Sequence, residues 1–239
     1  LDNAIEQEIK SQYKIRNPGL VVILVPKAYG SSTSMLRTLN KLKADGTIHD
    51  YKFLDYQKDP RMTYDTGYEM RKNNSGRHSV FVIDNNDYRI NTAENMRNLR
   101  RFCDNYAMMS VGYPYQFFMI THRPDIAKEM LTINDGAKVH LLGSYIDFVN
   151  GTPGCHKDYW GHFGLKLREK EVRKYISDES IVKLCAKAGT IGFMLKALEG
   201  HSLEYLEVLA DKQAEEWSLC GQVTEHWWLR TNAASEISK

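Results

Sequence analysis

The chain has 239 residues, 42% of them hydrophobic and 26% charged, with a formal net charge of +2. This composition excludes collagen, coiled-coil, disordered and disulfide-miniprotein classes, and the length suits one domain or one domain with a small appendage. A near-neutral balance names no partner in bulk, so nucleic-acid affinity would have to come from a local patch. No apolar run approaches the roughly 18 residues of a membrane span, and the opening residues carry no signal-peptide pattern, so a cytoplasmic protein without a membrane partner is expected. The cysteines, Cys103, Cys155, Cys185 and Cys220, lie far apart with no paired spacing, which suits a reducing compartment.

Leu20 to Val25 is a continuous, largely β-branched run, the pattern of a strand covered on both faces of a parallel sheet. Pro26 stops it, and a small polar stretch from Ala28 to Ser34 leads into Met35, Leu36, Leu39 and Leu42, one helical face ending near Gly46. Strand, loop and helix make the first half of a βαβ unit. Tyr51 to Leu54 predicts a short strand, and Met62 to Lys72 a helix broken by Asn73 to Gly76. Ser79 to Asp84 is a second buried strand with an acidic end. Ala93, Met96, Leu99, Cys103 and Ala107 recur at helical spacing and predict a helix from Thr92 to about Met109. Gln116 to Thr121 is a third hydrophobic strand, and Pro124 opens a short helix. Either Val139 to Leu142 or Tyr145 to Val149 supplies the last strand.

Beyond Arg168 the pattern is helical throughout. Ser177 is expected to cap a helix to Ala188, Thr190 to Leu198 forms a second, and Ser202 caps a long third helix carrying Leu203, Leu206, Leu209, Ala210 and Trp217. The expected fold is therefore α/β, a parallel sheet sandwiched by helices over residues 1–168, followed by a helical subdomain over 169–239.

A phosphate-binding loop needs Gly-x-x-x-x-Gly-Lys-Ser/Thr between strand and helix, because backbone N–H groups and a lysine wrap the phosphates. The frame here runs from Val25 to Ser32: Gly30 and Ser32 match, Val25 replaces the first glycine and Ser31 replaces the lysine. Lys27 lies inside the loop, away from the usual position. The strand ending in Asp84 has the pattern of one that holds Mg²⁺ through water. Asn85 stands where an acidic residue would polarise the attacking water; it can position water but cannot take its proton. Thr121 and His122 give the third strand a polar tip.

Taken in order, these features resemble an AAA+ ATPase module, similar in particular to the DNA-transposition B proteins of Mu-like phages and to helicase-loader-type regulators. The resemblance covers roughly residues 15–200 and rests on the loop at 25–32, the strand at 80–84, the helix bearing Asn95 to Arg101, the tip at Thr121 and the terminal helices. It implies ATP or ADP bound with Mg²⁺, with Lys27, Gly30, Ser31, Ser32 and Lys196 toward the nucleotide, Asp84 toward the metal through water, and Asn85 and Thr121 in catalytic positions. It further implies DNA as a partner and assembly into a homo- or hetero-oligomer. The pattern is degenerate: the loop lysine, the water-polarising glutamate and a sensor arginine of the terminal helices are each missing, with Gly192 where that arginine would fall. Efficient hydrolysis is therefore not expected.

Other groups carry weaker signals. Arg97, Arg100 and Arg101 follow i, i+3, i+4 spacing and offer a DNA-phosphate face, against the ordinary reading of a solvated helix surface. Lys157 and Trp160 lie in a glycine- and aromatic-rich stretch that could stack on bases, or simply pack its rings inward. In the same stretch, Cys155, His156 and His162 lack a fourth zinc ligand at a fixed spacing. His226 to Leu229 suits a core edge or an oligomer contact. Three functions follow: a DNA-associated AAA+-like regulator that binds nucleotide with little hydrolysis, a scaffold on the same fold without nucleotide, or an unrelated α/β enzyme with its site around Lys27, Asp84 and His122.

Overall fold

The computed structural model describes residues 1–15, 20–54, 77–84, 93–94, 96–98, 101, 115–131, 140–142 and 179–237. The chain divides into two compact units. The first comprises Leu1–Leu24, Ser31–Gly143 and Val223–Lys239; the second comprises Val25–Gly30 and Ser144–Gln222. The boundary expected after residue 168 lies outside the described residues.

In the first unit, helix α1 (Asp2–Ile15) precedes strand β1 (Leu20–Leu24), helix α2 (Ser31–Ala44) and strand β2 (Asp50–Leu54). Strand β3 (Ser79–Ile83), strand β4 (Tyr115–Thr121), helix α3 (Pro124–Leu131) and strand β5 (His140–Leu142) follow. The strands form one parallel five-stranded sheet in the order β2-β3-β4-β1-β5. Every residue of β1, β3 and β4 is buried, which is what continuous apolar strands require when both faces are covered. These three strands are consecutive neighbours in the order β3-β4-β1, with their C-terminal ends on one edge. Phe81 of β3 and Phe117 of β4 are register partners whose rings stack at 5.2 Å, a cross-strand pair of the kind that fixes register.

Of the two candidates for the last strand, His140–Leu142 pairs with β1; the residues of the other lie outside the described set. Helix α1 was not expected. Its apolar signal is thin, Ile5 and Ile9 amid charged residues, yet both are fully buried. Buried Gln116 of β4 donates from Nε2 to the Ile9 carbonyl at 2.9 Å, and ion pairs from Asp2 to Arg37 and Glu6 to Lys41 join α1 to α2.

At the same end of the sheet, just before β3, His78 is buried, and its Nδ1 lies 3.1 Å from the Thr47 carbonyl. Burial pushes its imidazole below the usual range, opposed by hydrogen bonds to Thr47 and Gln116. No helix among the described residues is long and apolar enough to cross a membrane.

The second unit holds helix α4 (Glu179–Ala188), helix α5 (Ile191–Leu198) and most of helix α6 (Leu203–Ile237). Gly189 and Gly200, at φ of 61° and 80°, end the first two in the left-handed conformation that glycine adopts without strain. Cys185, Ala188, Phe193, Ala197, Leu206 and Ala210 form the core of this unit. The Ser202 hydroxyl accepts from the Tyr205 N–H at 3.3 Å, the cap expected for the last helix. That helix runs on through His226 to Leu229 and ends at Ile237, well past the last apolar position used to predict it.

Candidate functional site

In the first unit the polar ends of the strands share one edge. Leu24 of β1 registers with Thr121 of β4, and Ile83 of β3 with Met119, so Asp84 and Thr121 emerge beside each other's strands. β4 therefore separates β1 from β3. The chain leaves β1 toward β2 and leaves β4 past β1 toward β5; where neighbouring strands send their connections opposite ways, open sheets leave a crevice at the carboxyl ends. Of the residues at the strand ends, Asp84 and His122 are half-buried and Thr121 is buried. The Thr121 hydroxyl accepts from the Arg123 N–H at 3.1 Å. Arg123 in turn donates from Nε to Asp125 at 3.1 Å, and this guanidinium holds the Asp125 carboxyl below the usual carboxylate range. Helix α2 opens with Ser31, buried, and Ser32, half-buried. Asn85 lies outside the described residues.

In the second unit the segment Val25–Gly30 is held by the terminal helices. The Tyr29 N–H donates to the Pro26 carbonyl at 3.3 Å, closing a turn around Ala28, which sits at a φ of 63°. A non-glycine residue in that conformation persists only where its surroundings over-determine it. The surroundings are specific: the Ala28 carbonyl accepts from the Gly192 N–H at 2.9 Å, and a Cβ on Gly192 would stand 2.3 Å from the Ala28 Cβ. The Lys27 N–H donates to the Glu216 carboxylate at 3.3 Å. Tyr29 packs edge-on against Trp217, centroids 5.3 Å apart, and Trp217 Nε1 donates to the Ala188 carbonyl at 3.1 Å. The Thr190 hydroxyl caps α5 by accepting from the Phe193 N–H at 3.3 Å, and itself donates to Gln213.

Gly192 thus has a physical reason to be glycine: the backbone of the loop residue Ala28 lies where a side chain would begin. An arginine there would need the turn to move. Lys196, one helical turn on from Gly192, is exposed and paired with Glu199 at 2.6 Å, which raises its ammonium above the usual range. The Lys27 side chain is exposed, with no ion pair among the described residues.

Of the DNA candidates, Arg97 and Arg101 are exposed residues of helical segments; Arg100, Lys157 and Trp160 lie outside the described residues, as do Cys155, His156 and His162. No cluster of metal-ligating side chains occurs among the described residues. Burial pushes the Cys185 thiol up to about 11 and the Cys220 thiol to about 12, with Glu216 adding to the latter, so neither is a nucleophile near neutral pH. Sequence reasoning missed Ala28, Glu216 and the pairing of Tyr29 with Trp217. The only local signal was Gly192 itself, an isolated glycine inside a helical pattern.

The fold is that of an α/β protein with a parallel sheet flanked by helices and a helical C-terminal part. No protein-family model and no curated protein matches the chain. Among solved structures it is similar to C. elegans PCH-2, with a TM-score of 0.41 and 11% identity over 100% of this chain and 70% of that one. At that score the likeness is too loose to bear on function.

Proposed function

We propose that the chain is an AAA+-like regulator or assembly factor of a phage or mobile element, acting with DNA and binding ATP or ADP with little or no hydrolysis. The observation that carries this reading is the sheet edge. The strand ending in Asp84, the strand ending in Thr121 and the strand leading to the Gly30–Ser31–Ser32 turn are consecutive neighbours in the sheet. Asp84 with the Ser32 hydroxyl supplies hard oxygen donors on one edge, a set that suits Mg²⁺ when substrate phosphates complete its shell. When bound, the metal would neutralise phosphate charge. Ser31 and Ser32 at the start of a 14-residue helix would direct N–H groups and hydroxyls toward an anion.

Slow hydrolysis follows from what the residues cannot do. No lysine stands at position 31, and Gly192 leaves no room for an arginine while Ala28 holds its place. Charge developing on a transferred phosphoryl group would meet little compensation. Titration of a fluorescent ATP analogue with Mg²⁺, followed by steady-state phosphate release with and without DNA, tests both halves. Saturable binding with negligible turnover is expected; absence of binding would defeat the reading.

The second reading, a scaffold on this fold without nucleotide, is favoured by one contact. The Glu216 carboxylate already accepts the Lys27 N–H, so the chain's own anion occupies a loop amide that a phosphate would need. Failure of the titration, with the protein folded, would select it.

A further inference from the structure

Helix α6 carries two stripes at the spacing of a helix–helix seam, one buried and one exposed among the described residues. Leu206, Ala210, Gln213, Trp217 and Cys220 are buried in the second unit. The other stripe is Tyr205, Val208, Lys212, Glu215, Leu219 and Gln222, alternately three and four residues apart, and all six are exposed. Val208 is 71% exposed, Tyr205 45% and Leu219 44%, a row of apolar side chains on one helix face. Lys212 and Glu215 stand between them, with no ion pair among the described residues.

From this stripe we infer that helix α6 pairs antiparallel with a second copy of the chain. The stripe is self-complementary about its own midpoint, between Gln213 and Ala214. Antiparallel pairing there sets Val208 against Leu219 of the partner subunit, Lys212 against Glu215 of the partner subunit, and Tyr205 against Gln222 of the partner subunit. The two-fold axis repeats each contact, so one apolar match and one charge match become two of each. A parallel, in-register pairing would instead set lysine on lysine and glutamate on glutamate, which repel. Within the stripe, the lysine–glutamate match thus favours an antiparallel second copy over a parallel one. Asp211, beside the stripe, is already compensated by Lys187 of its own chain. The contact is small, in the class below about 1,200 Å² that gives weak, reversible association. It requires no nucleotide and stands apart from the function proposed above.

Analytical ultracentrifugation across a concentration series, without nucleotide, tests the pairing. The wild-type chain should show reversible self-association. Lys212→Glu and Glu215→Lys should each weaken it about tenfold or more, equivalent to about 1.4 kcal/mol, because each places like charges together twice. The double reversal, Lys212→Glu with Glu215→Lys, should restore association, since it exchanges the two charges without changing the match. These residues are exposed, so the variants should keep the wild-type circular dichroism spectrum. A monomer at every concentration, single reversals without effect, or a double reversal that fails to recover would each overturn the proposal.

Discussion

A Cβ at position 192 is the smallest change that separates a loop held by the terminal helices from a loop released. Gly192→Ala would stand 2.3 Å from the Ala28 Cβ, a backbone-anchored atom that cannot swing aside. Overpacking of this kind costs about 1–3 kcal/mol. A lower urea midpoint with an unchanged slope is expected, together with faster amide exchange at position 192, whose N–H in the wild-type chain is bonded to the Ala28 carbonyl. Thr190→Ala should cost about 1–2 kcal/mol as a lost cap, and more if Gln213 is left unpaired in the core. His78 supplies a pH dependence. Its folded value is depressed, so the unfolded chain takes up the proton more readily. The contribution is complete above the unfolded value of about 6.5 and is lost as pH falls through the folded one. Urea midpoints should drop from pH 7.5 to 5.5, and less steeply in His78→Gln. Equal slopes in the two proteins would assign the acid sensitivity to groups other than His78.

At the scale of elements, α1 shows what sequence pattern undervalues. Two isoleucines one turn apart did not announce a helix, yet Ile9 is completely buried and its carbonyl takes a hydrogen bond from the sheet. Ile9→Ala should therefore destabilise by about 2–5 kcal/mol, as buried large-to-small changes do. Thermal denaturation would decide: a shift no larger than that of a surface substitution would mean that α1 is not part of the cooperative unit. The strands were legible for the opposite reason. Four or more consecutive apolar residues have few solutions other than a doubly covered strand, and β1, β3 and β4 read that way directly. The cap of α6 was also legible, because Ser202 needs only its own helix to act.

For the whole molecule, the expected behaviour is retention of nucleotide without turnover. Phosphate release near the ordinary enzyme range of about 1 per second or more would show that groups outside those named supply the missing charge. Sequence alone determined the parallel α/β class, the three central strands and the helical C-terminal part, because continuous burial and helical spacing are local signals. It also put Asp84 and Thr121 at strand ends, since a polar residue closing an apolar run must lie at an edge. Tertiary structure alone decided that β4 lies between β1 and β3, because strand order depends on which connection crosses which strand. It alone explained Gly192. A glycine in a helix reads as a weak point until the residue that fills its missing side chain is known, and that residue, Ala28, lies far away along the chain.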